Sequence, residues 1–445
     1  MSNQVFNYLV TPSVVRADAE TEITIRPLGE NAAFARGCVY TLEIRERDTF
    51  RALRDEFPIC KYECAPNEAG ELVFTHRFRG EQRHTIILRR PEEDLRSPYY
   101  EINNRRKKRP DNCTAVLAVY SLAPDLYGLR CFKGETHCHT YESDGVQDAV
   151  HTVANYRAAG YDFVALTDHF TSYASEKAKR VFGSAPVAMT MLLGEEVHVP
   201  TERIHTIRIG GEVSVNEWFR AHRAEAEAEV AALAPTLSLP DGIDREDYAW
   251  RVWIANKSRE LGGVAILAHP FWIWEEVYFI PPAVTRQLLR DGVYDALDLR
   301  DYDMEPAVAL WEEVRAEGVK IPVVGSTDSH YTSAAEPKLP AKGGYTFVFA
   351  PDRSEAALLN AIRAGRSLCV KTDCSPEFVF GPYRLTKFAR FLLDKFYPVY
   401  MRLCHGQGAL MADYSADGAP DPQTETLLGG LSERSERFAR EFYGY

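Results

Sequence analysis

Two periodicities of apolar and polar positions divide this chain. From Val5 to about Ala123 apolar residues alternate with polar ones in short runs, TEITIRPLG, CVYTLEIRER, ELVFTHRFRG, HTIILRRPEE and NCTAVLAVYSL, separated by turns rich in Gly, Pro, Asn and Glu. Alternation among β-branched and aromatic residues is the period of a half-buried strand. Residues 1–125 are therefore predicted to form an antiparallel, immunoglobulin-like β-sandwich, interrupted by one short helix near Asp48 to Asp55.

After Gly134 strands alternate with helices. The helix-like VQDAVHTVANYRAAG ends at Gly160, and the apolar run DFVALTDH follows. The same form recurs in SRELGGVAILAHP, DGVYDALDLRDYD and RAEGVKIPVVGSTDSH, with chemistry-bearing residues where each strand stops. This is the βα repeat of a parallel barrel or doubly wound sheet, whose active sites collect at the carboxyl ends of the strands. Two helical stretches, EWFRAHRAEAEAEVAALA and REDYAWRVWIANKSREL, form an insertion over about 216–261, expected to lid the site. A last strand, YTFVFA, and the helix-like SEAALLNAIRAGRSL precede a partly helical extension over 371–445.

Length and composition narrow the class. A chain of 445 residues holds two or three domains, and 45% hydrophobic with 26% charged residues indicates a folded, soluble chain. The opening MSNQVFNYLV reads as no leader, and no apolar run is long enough to cross a bilayer, so a cytoplasmic, membrane-free protein is expected. Nine scattered cysteines suit reduced thiols, and the pair Cys60 and Cys64 lacks the second pair a structural zinc needs. With 52 basic against 64 acidic residues, the net charge of −12 opposes a nucleic-acid polymer as partner; the basic run Arg105 to Arg109 reads as a solvated hairpin tip.

Candidate chemistry begins at KGETHCHTYESDG. In a strand, residues i and i+2 face the same way about 7 Å apart, so His137 and His139 can address one ion while Cys138 points away. One such pair is weak evidence, but His169, His269, and Asp328 with His330 repeat the placement at three further strand ends. The stretch LLGEEVHVPTERIHTIRIG adds Glu196 and His205, with Glu195 and His198 as competitors. The other histidines, His76, His84, His151, His198, His222 and His405, read as surface or core-rim residues. Imidazoles and carboxylates without a thiolate suit Zn, Mn or Fe, and so many donors imply two or three divalent ions. Ions clustered in this way activate water as hydroxide for phosphate-ester hydrolysis, and they supply the positive charge an acidic chain lacks.

The motifs HCHTYESDG, ALTDH, GEEVH, ILAHP and GSTDSH, in that order over roughly Gly134 to Cys369, resemble the PHP family, the polymerase and histidinol phosphatase domain. The resemblance implies a distorted (β/α)7 TIM-like barrel over 126–370 with a trinuclear metal site. His137, His139, Glu196 and Asp328 would hold one ion; Glu196, as a bridge, with His205 and His269 a second; Asp144, His169 and His330 the third. Gly145 would permit the turn that follows Asp144. The activity expected is hydrolysis of a small phosphomonoester, a nucleotide or sugar phosphate, with Asp168 as proton shuttle and Arg180 and Arg300 as phosphate clamps. Phe271, Trp272 and Trp274 are read as core in preference to a ring-binding wall. Alternatives are a phosphodiesterase, an amidohydrolase-type amide or lactone hydrolase, for which no bridging lysine stands at a strand end, and a metal-stabilised binding scaffold.

Overall fold

The structure is a computed structural model and describes residues 4–46, 59–91, 94, 114–274, 278–300, 304–331, 343–372, 375–414 and 420–445. The short helix foreseen near 48–55 and the basic run 105–109 lie outside the described residues. The fold is α/β with mixed sheets. The chain divides into two compact units, Met1–Leu129 with Arg390–Tyr400 and Ser435–Tyr445, and Arg130–Ala389 with Met401–Arg434.

The first unit carries β1 (Tyr8–Thr11), β2 (Val14–Arg16), β3 (Glu20–Pro27), β4 (Tyr40–Glu46), β5 (Cys60–Cys64), β6 (Leu72–Arg77), β7 (Gln82–Arg89) and β8 (Thr114–Leu122). They form a three-stranded sheet, β1-β3-β6, and a five-stranded sheet, β2-β8-β7-β4-β5. Alternation in sequence becomes alternation in burial: in β7, Gln82, His84, Ile86 and Leu88 are buried and the residues between them are not. Ile23, Ile25, Leu42, Ile44, Ile86 and Leu88, drawn from both sheets, share one apolar core. One pairing departs from the antiparallel expectation, since β2 runs parallel to β8. Pro12 has no N–H to continue the β1 ladder, and the chain resumes two residues later in the other sheet.

The second unit contains β9 (Arg130–Glu135), α1 (Ala149–Ala158), β10 (Phe163–Ala165), α2 (Tyr173–Phe182), β11 (Thr190–Leu192), β12 (Gly194–Val197) and β13 (Thr206–Ile209). Next come α3 (Val215–Ala221), α4 (Arg223–Leu233), α5 (Arg245–Glu260), β14 (Val264–Leu267), α6 (Pro282–Arg290), β15 (Ala296–Asp298), α7 (Met304–Ala316) and β16 (Val323–Val324). It continues with β17 (Gly344–Ala350), α8 (Glu355–Arg363), β18 (Ser367–Lys371) and β19 (Phe378–Phe380). The C-terminal helices α9 (Tyr383–Lys395), α10 (Tyr397–Met411) and α11 (Pro422–Tyr443) divide their residues between the two units.

The helix-to-strand rhythm has local causes. The Asp148 side chain caps α1 by accepting from Val150 N at 2.8 Å and His151 N at 3.2 Å. Gly160, at φ 82°, takes the left-handed conformation that releases the chain toward β10. Parallel pairing holds within β9-β10-β11 and within β14-β15-β16. It fails elsewhere: β12-β13-β14 and β9-β17-β18-β19 are antiparallel. Only residues 198–205 separate β12 from β13, too few for the crossover a parallel pair requires. In place of a continuous parallel barrel, the described residues give a six-stranded sheet, β11-β10-β9-β17-β18-β19, and a five-stranded one, β12-β13-β14-β15-β16. Phe132, Phe163, Ile207, Ile266, Val324 and Val348, from strands of both, share one apolar cluster with Leu358 and Leu359 of α8. Isolated parallel bridges, Cys138 with Ser329 just past β9 and β16, and His169 just past β10 with Glu196 of β12, link the two sheets.

Gly134 faces Phe163 in the β9-β10 pair, and a Cβ there would lie 2.0 Å from the buried phenyl ring. Gly134→Ala is therefore expected to cost about 1–3 kcal/mol in urea unfolding. Adding Phe163→Leu should recover part of that loss; a purely additive double variant would refute the steric account.

Candidate metal centre

The strand ends and the loops after them bring the candidate donors together. His137 and His139 continue from β9, His169 follows β10, Glu196 lies in β12, His205 precedes β13, His269 follows β14, and Asp328 and His330 follow β16. Backbone bonds fix the relative heights: His139 N donates to Ser329 O at 2.8 Å, Asp328 N to His137 O at 2.8 Å, and Glu196 N to Asp168 O at 3.1 Å. Asp328 has φ 47°, a left-handed conformation unusual for a residue with a side chain and one that clusters at functional sites. Gly145 is required by space, since a Cβ there would lie 2.7 Å from the His139 carbonyl carbon and oxygen.

Glu196 is the hub. Its Oε1 lies 2.7 Å from His205 Nδ1 and 3.4 Å from His269 Nε2, and its Oε2 lies 3.0 Å from His169 Nδ1, 3.4 Å from His137 Nε2 and 3.5 Å from His139 Nε2. Asp328 Oδ1 approaches His139 Nε2 at 2.9 Å and His137 Nε2 at 3.2 Å, while Oδ2 pairs with Arg300 Nη1. Asp144 Oδ2 meets His330 Nε2 at 3.1 Å and His169 Nε2 at 3.4 Å. Burial alone would push the Glu196 carboxyl up, but His205 and His137 outweigh it and hold the group well below the usual carboxylate range. Burial likewise pushes His169 down, and Asp144 and Glu196 overcome this to hold it up at about 10.

The donor set fits divalent ions. Both Glu196 oxygens and Nδ1 of His205 and His269 are buried without a hydrogen bond, although facing groups of opposite charge stand within a few ångströms. Close-set lone pairs of this kind are satisfied by a cation among them. His139, Asp144, His169 and His330 form one group whose donor atoms lie within 4.8 Å of one another, and Glu196, His205 and His269 form another. The four donors assigned by resemblance to one ion fall into two overlapping groups, His137-His139-Glu196 and His137-His269-Asp328.

β12 separates the two adjacent glutamates. Glu195 points away from the cluster, where its carboxylate accepts from Ser214 Oγ at 2.5 Å, Val215 N at 2.6 Å and Asn216 Nδ2 at 2.9 Å, with Arg208 Nη1 at 3.8 Å. Glu196 alone is left to face the histidines. His198, read from sequence as a rim residue, instead belongs to the cluster: it is buried, with Nε2 2.8 Å from His169 Nδ1 and 3.9 Å from Glu196 Oε2. The i, i+2 rule that paired His137 with His139 would have found it two residues after Glu196. Sequence reasoning also passed over Glu135 and Asp298. Glu135 accepts from His137 N at 3.0 Å and Thr327 Oγ1 at 2.9 Å, and burial pushes it up to about 8 against those bonds. Asp298 Oδ2 lies 3.8 Å from His137 Nδ1 and accepts from Ser326 Oγ at 2.6 Å.

A cavity of about 390 Å³ opens over the cluster, lined by Asp144, His169, Phe170, Glu196, His198, Glu202, His205, His269, Trp272, Trp274, Arg300, Asp328 and His330. Arg300 is thus at the site. Arg180 is not: it sits on the exposed face of α2, outside the lining. Asp168 is also outside the lining, and its oxygens accept from Thr140 N at 2.8 Å, Thr140 Oγ1 at 2.9 Å and Ser143 Oγ at 2.6 Å. Those bonds tie Asp168 to the loop that carries Asp144. Trp272 and Trp274 line the cavity with rings 6.1 Å apart at 21°, and Trp272 also packs, with Phe271, on the core that α6 and α7 share. None of the lining residues comes from 216–261, although Arg220 of the insertion donates from Nη1 to the carbonyl of the lining residue Phe170 at 2.8 Å. Phe219, Trp250, Trp253 and Ile254 of the insertion instead bury themselves against Val197, Val199 and Ile204.

The chain matches no protein-family model and no curated protein sequence. Solved structures resemble it distantly. One is a two-domain protein from Bacteroides vulgatus containing a predicted PHP-like metal-dependent phosphoesterase, 17% identical over 56% of this chain and 67% of that one, with a TM-score of 0.38. Another, from Bifidobacterium adolescentis and described as a candidate metal-dependent phosphoesterase, is 17% identical over 45% of this chain and 88% of that one, at 0.32. A third is an amidohydrolase from Chromobacterium violaceum with bound sulfate and no metal, 16% identical over 44% and 87%, at 0.28.

The two glutamates should behave oppositely. Glu196→Gln is expected to keep the fold and lose bound divalent metal after dialysis. Glu195→Ala strands the buried Arg208 and should lower stability by about 3–5 kcal/mol. The reverse pattern in metal content and urea melts would overturn the assignment of faces. A second expectation concerns pH in chelator-treated protein. The folded pKa of His169, about 10, lies above its unfolded value of about 6.5, so its stabilising contribution is complete below that value and disappears as pH climbs toward 10. Unfolding free energy measured across that window should fall, and His169→Ala should flatten the dependence.

Proposed function

We propose that this chain is a metal-dependent phosphoesterase of the PHP type, hydrolysing a small phosphomonoester. The reading takes residues 126–370 as a distorted (β/α)7 barrel, 1–125 as a β-sandwich and 371–445 as an extension, in a cytoplasmic protein. The observation that carries it is the convergence of six imidazoles and three carboxylates on one cluster, seven of which line a cavity that also holds a guanidinium. Two or three bound Zn, Mn or Fe ions would supply a water of lowered pKa and positive charge for the phosphoryl oxygens. His137, His139, Glu196 and His269 are the deepest donors, and Asp144, His169 and His330 stand nearer the mouth, with Asp144 and His330 the most exposed of the nine.

Arg300, held against Asp328 and lining the cavity, would donate to a phosphoryl oxygen at the same time. The half-exposed Trp274 stacked on Trp272 offers a flat wall beside the donors, which favours an ester carrying a ring, such as a nucleotide, over a bare sugar phosphate. No lysine is among the described residues lining the cavity, which weighs against the amidohydrolase reading.

Purified protein with Mn²⁺ or Zn²⁺ should release phosphate from a generic monoester, and chelator or the double change His137→Ala, His139→Ala should abolish this. Full metal occupancy without hydrolysis of any phosphoester would sink the proposal. Trp274→Ala should raise KM for a nucleoside monophosphate about 10-fold, the worth of one stacked base, and leave ribose 5-phosphate unchanged.

A further inference from the structure

We propose that His198 is itself a donor of the metal centre, closing a three-donor group with Glu196 and His169 beside the nine side chains already named. This rests on the reading that the centre holds divalent ions. His198 lies one residue past the end of β12, two residues after Glu196, and its ring turns to the same side as the Glu196 carboxylate. The result is a triangle: His198 Nε2 to His169 Nδ1 is 2.8 Å, His169 Nδ1 to Glu196 Oε2 is 3.0 Å, and His198 Nε2 to Glu196 Oε2 is 3.9 Å. These three donor atoms lie within 4.8 Å of one another, as in the other groups of the cluster.

The surroundings of His198 are those of a fixed ligand more than of a core histidine. A core imidazole settles both nitrogens on backbone or side-chain partners. Here Nδ1 is buried without a hydrogen bond, and Nε2 faces only another imidazole and a carboxylate that already serves other histidines. Two imidazole nitrogens 2.8 Å apart are complementary when a proton or a cation lies between them, and the Glu196 oxygen converges on the same point. The ring has little freedom to turn away. Phe170 covers it at 4.5 Å and 34°, the His205 ring lies 4.2 Å off, and the His198 backbone N donates to Asn216 Oδ1 at 3.2 Å. His169 then serves two groups from one ring, Nδ1 toward Glu196 and His198 and Nε2 toward Asp144 at 3.4 Å.

The test uses the full-length chain loaded with Zn²⁺ or Co²⁺, with His198→Asn and His198→Gln as variants and melts of the metal-free forms to establish that both fold. Calorimetry and elemental analysis should show one class of sites weakened by about 100-fold or lost while the others persist, and the visible Co²⁺ spectrum should change in intensity as coordination falls. Unchanged stoichiometry, affinity and spectrum would overturn the proposal, even if turnover dropped. A loss below about 10-fold with an unaltered spectrum would also overturn it, making His198 a hydrogen-bond partner that orients His169. Wild-type protein that takes up neither ion would defeat the metal-centre reading itself, a failure distinct from one seen in the variants alone.

Discussion

A carboxylate held in the interior of a protein must be compensated there, and in this chain that demand falls on Glu196. Desolvation penalises its charge, and imidazoles such as those of His205, His137 and His169 from other strands offset the penalty. The same constraint explains the arrangement of the upper half of the second unit. Strand ends that carry His137, His169, His205 and His269 must stop at one level, and the bridges Cys138 to Ser329 and His169 to Glu196 set that level. Metal-free, the compensation comes from imidazolium, as the raised values of His137 and His169 indicate. With ions present the imidazoles are neutral and the positive charge moves to the centre of the cluster.

Much of this was legible because ligand chemistry is written in residue identity and in position relative to a strand end. An apolar run that stops at a histidine is visible without coordinates, and nine such side chains do come together. What stayed hidden depends on partners remote in sequence. Glu195 and Glu196 differ only by which side of β12 they occupy, and that is decided by Ser214, Asn216 and Arg208. Arg180 and Arg300 look alike in sequence, yet one lies on the outward face of a helix whose register the pattern left undetermined. The antiparallel turn of β12 to β13 was hidden because residues 198–205 carry histidine and proline where a hairpin signal would stand.

The insertion shows how an apolar face misleads when its destination is unknown. Its helices bear the aromatic residues a lid would use, but Trp250 and Trp253 are spent on a core of their own against Val197 and Val199. What reaches the site is α3, where Asn216 donates to Glu195 and to the Glu196 carbonyl and accepts from His198 N, and Arg220 donates to the Phe170 carbonyl.

Because Glu195 and Glu196 occupy opposite faces of one short strand flanked by Gly194 and Val197, any slip of β12 by a single position would leave one of the two places without its acid. In one direction Gly194 would stand where Ser214 and Asn216 need a carboxylate, and in the other Val197 would stand among the imidazoles. Tandem acidic residues thus act as a built-in proofreading device for strand alignment, penalising misregistered assembly before any ion arrives.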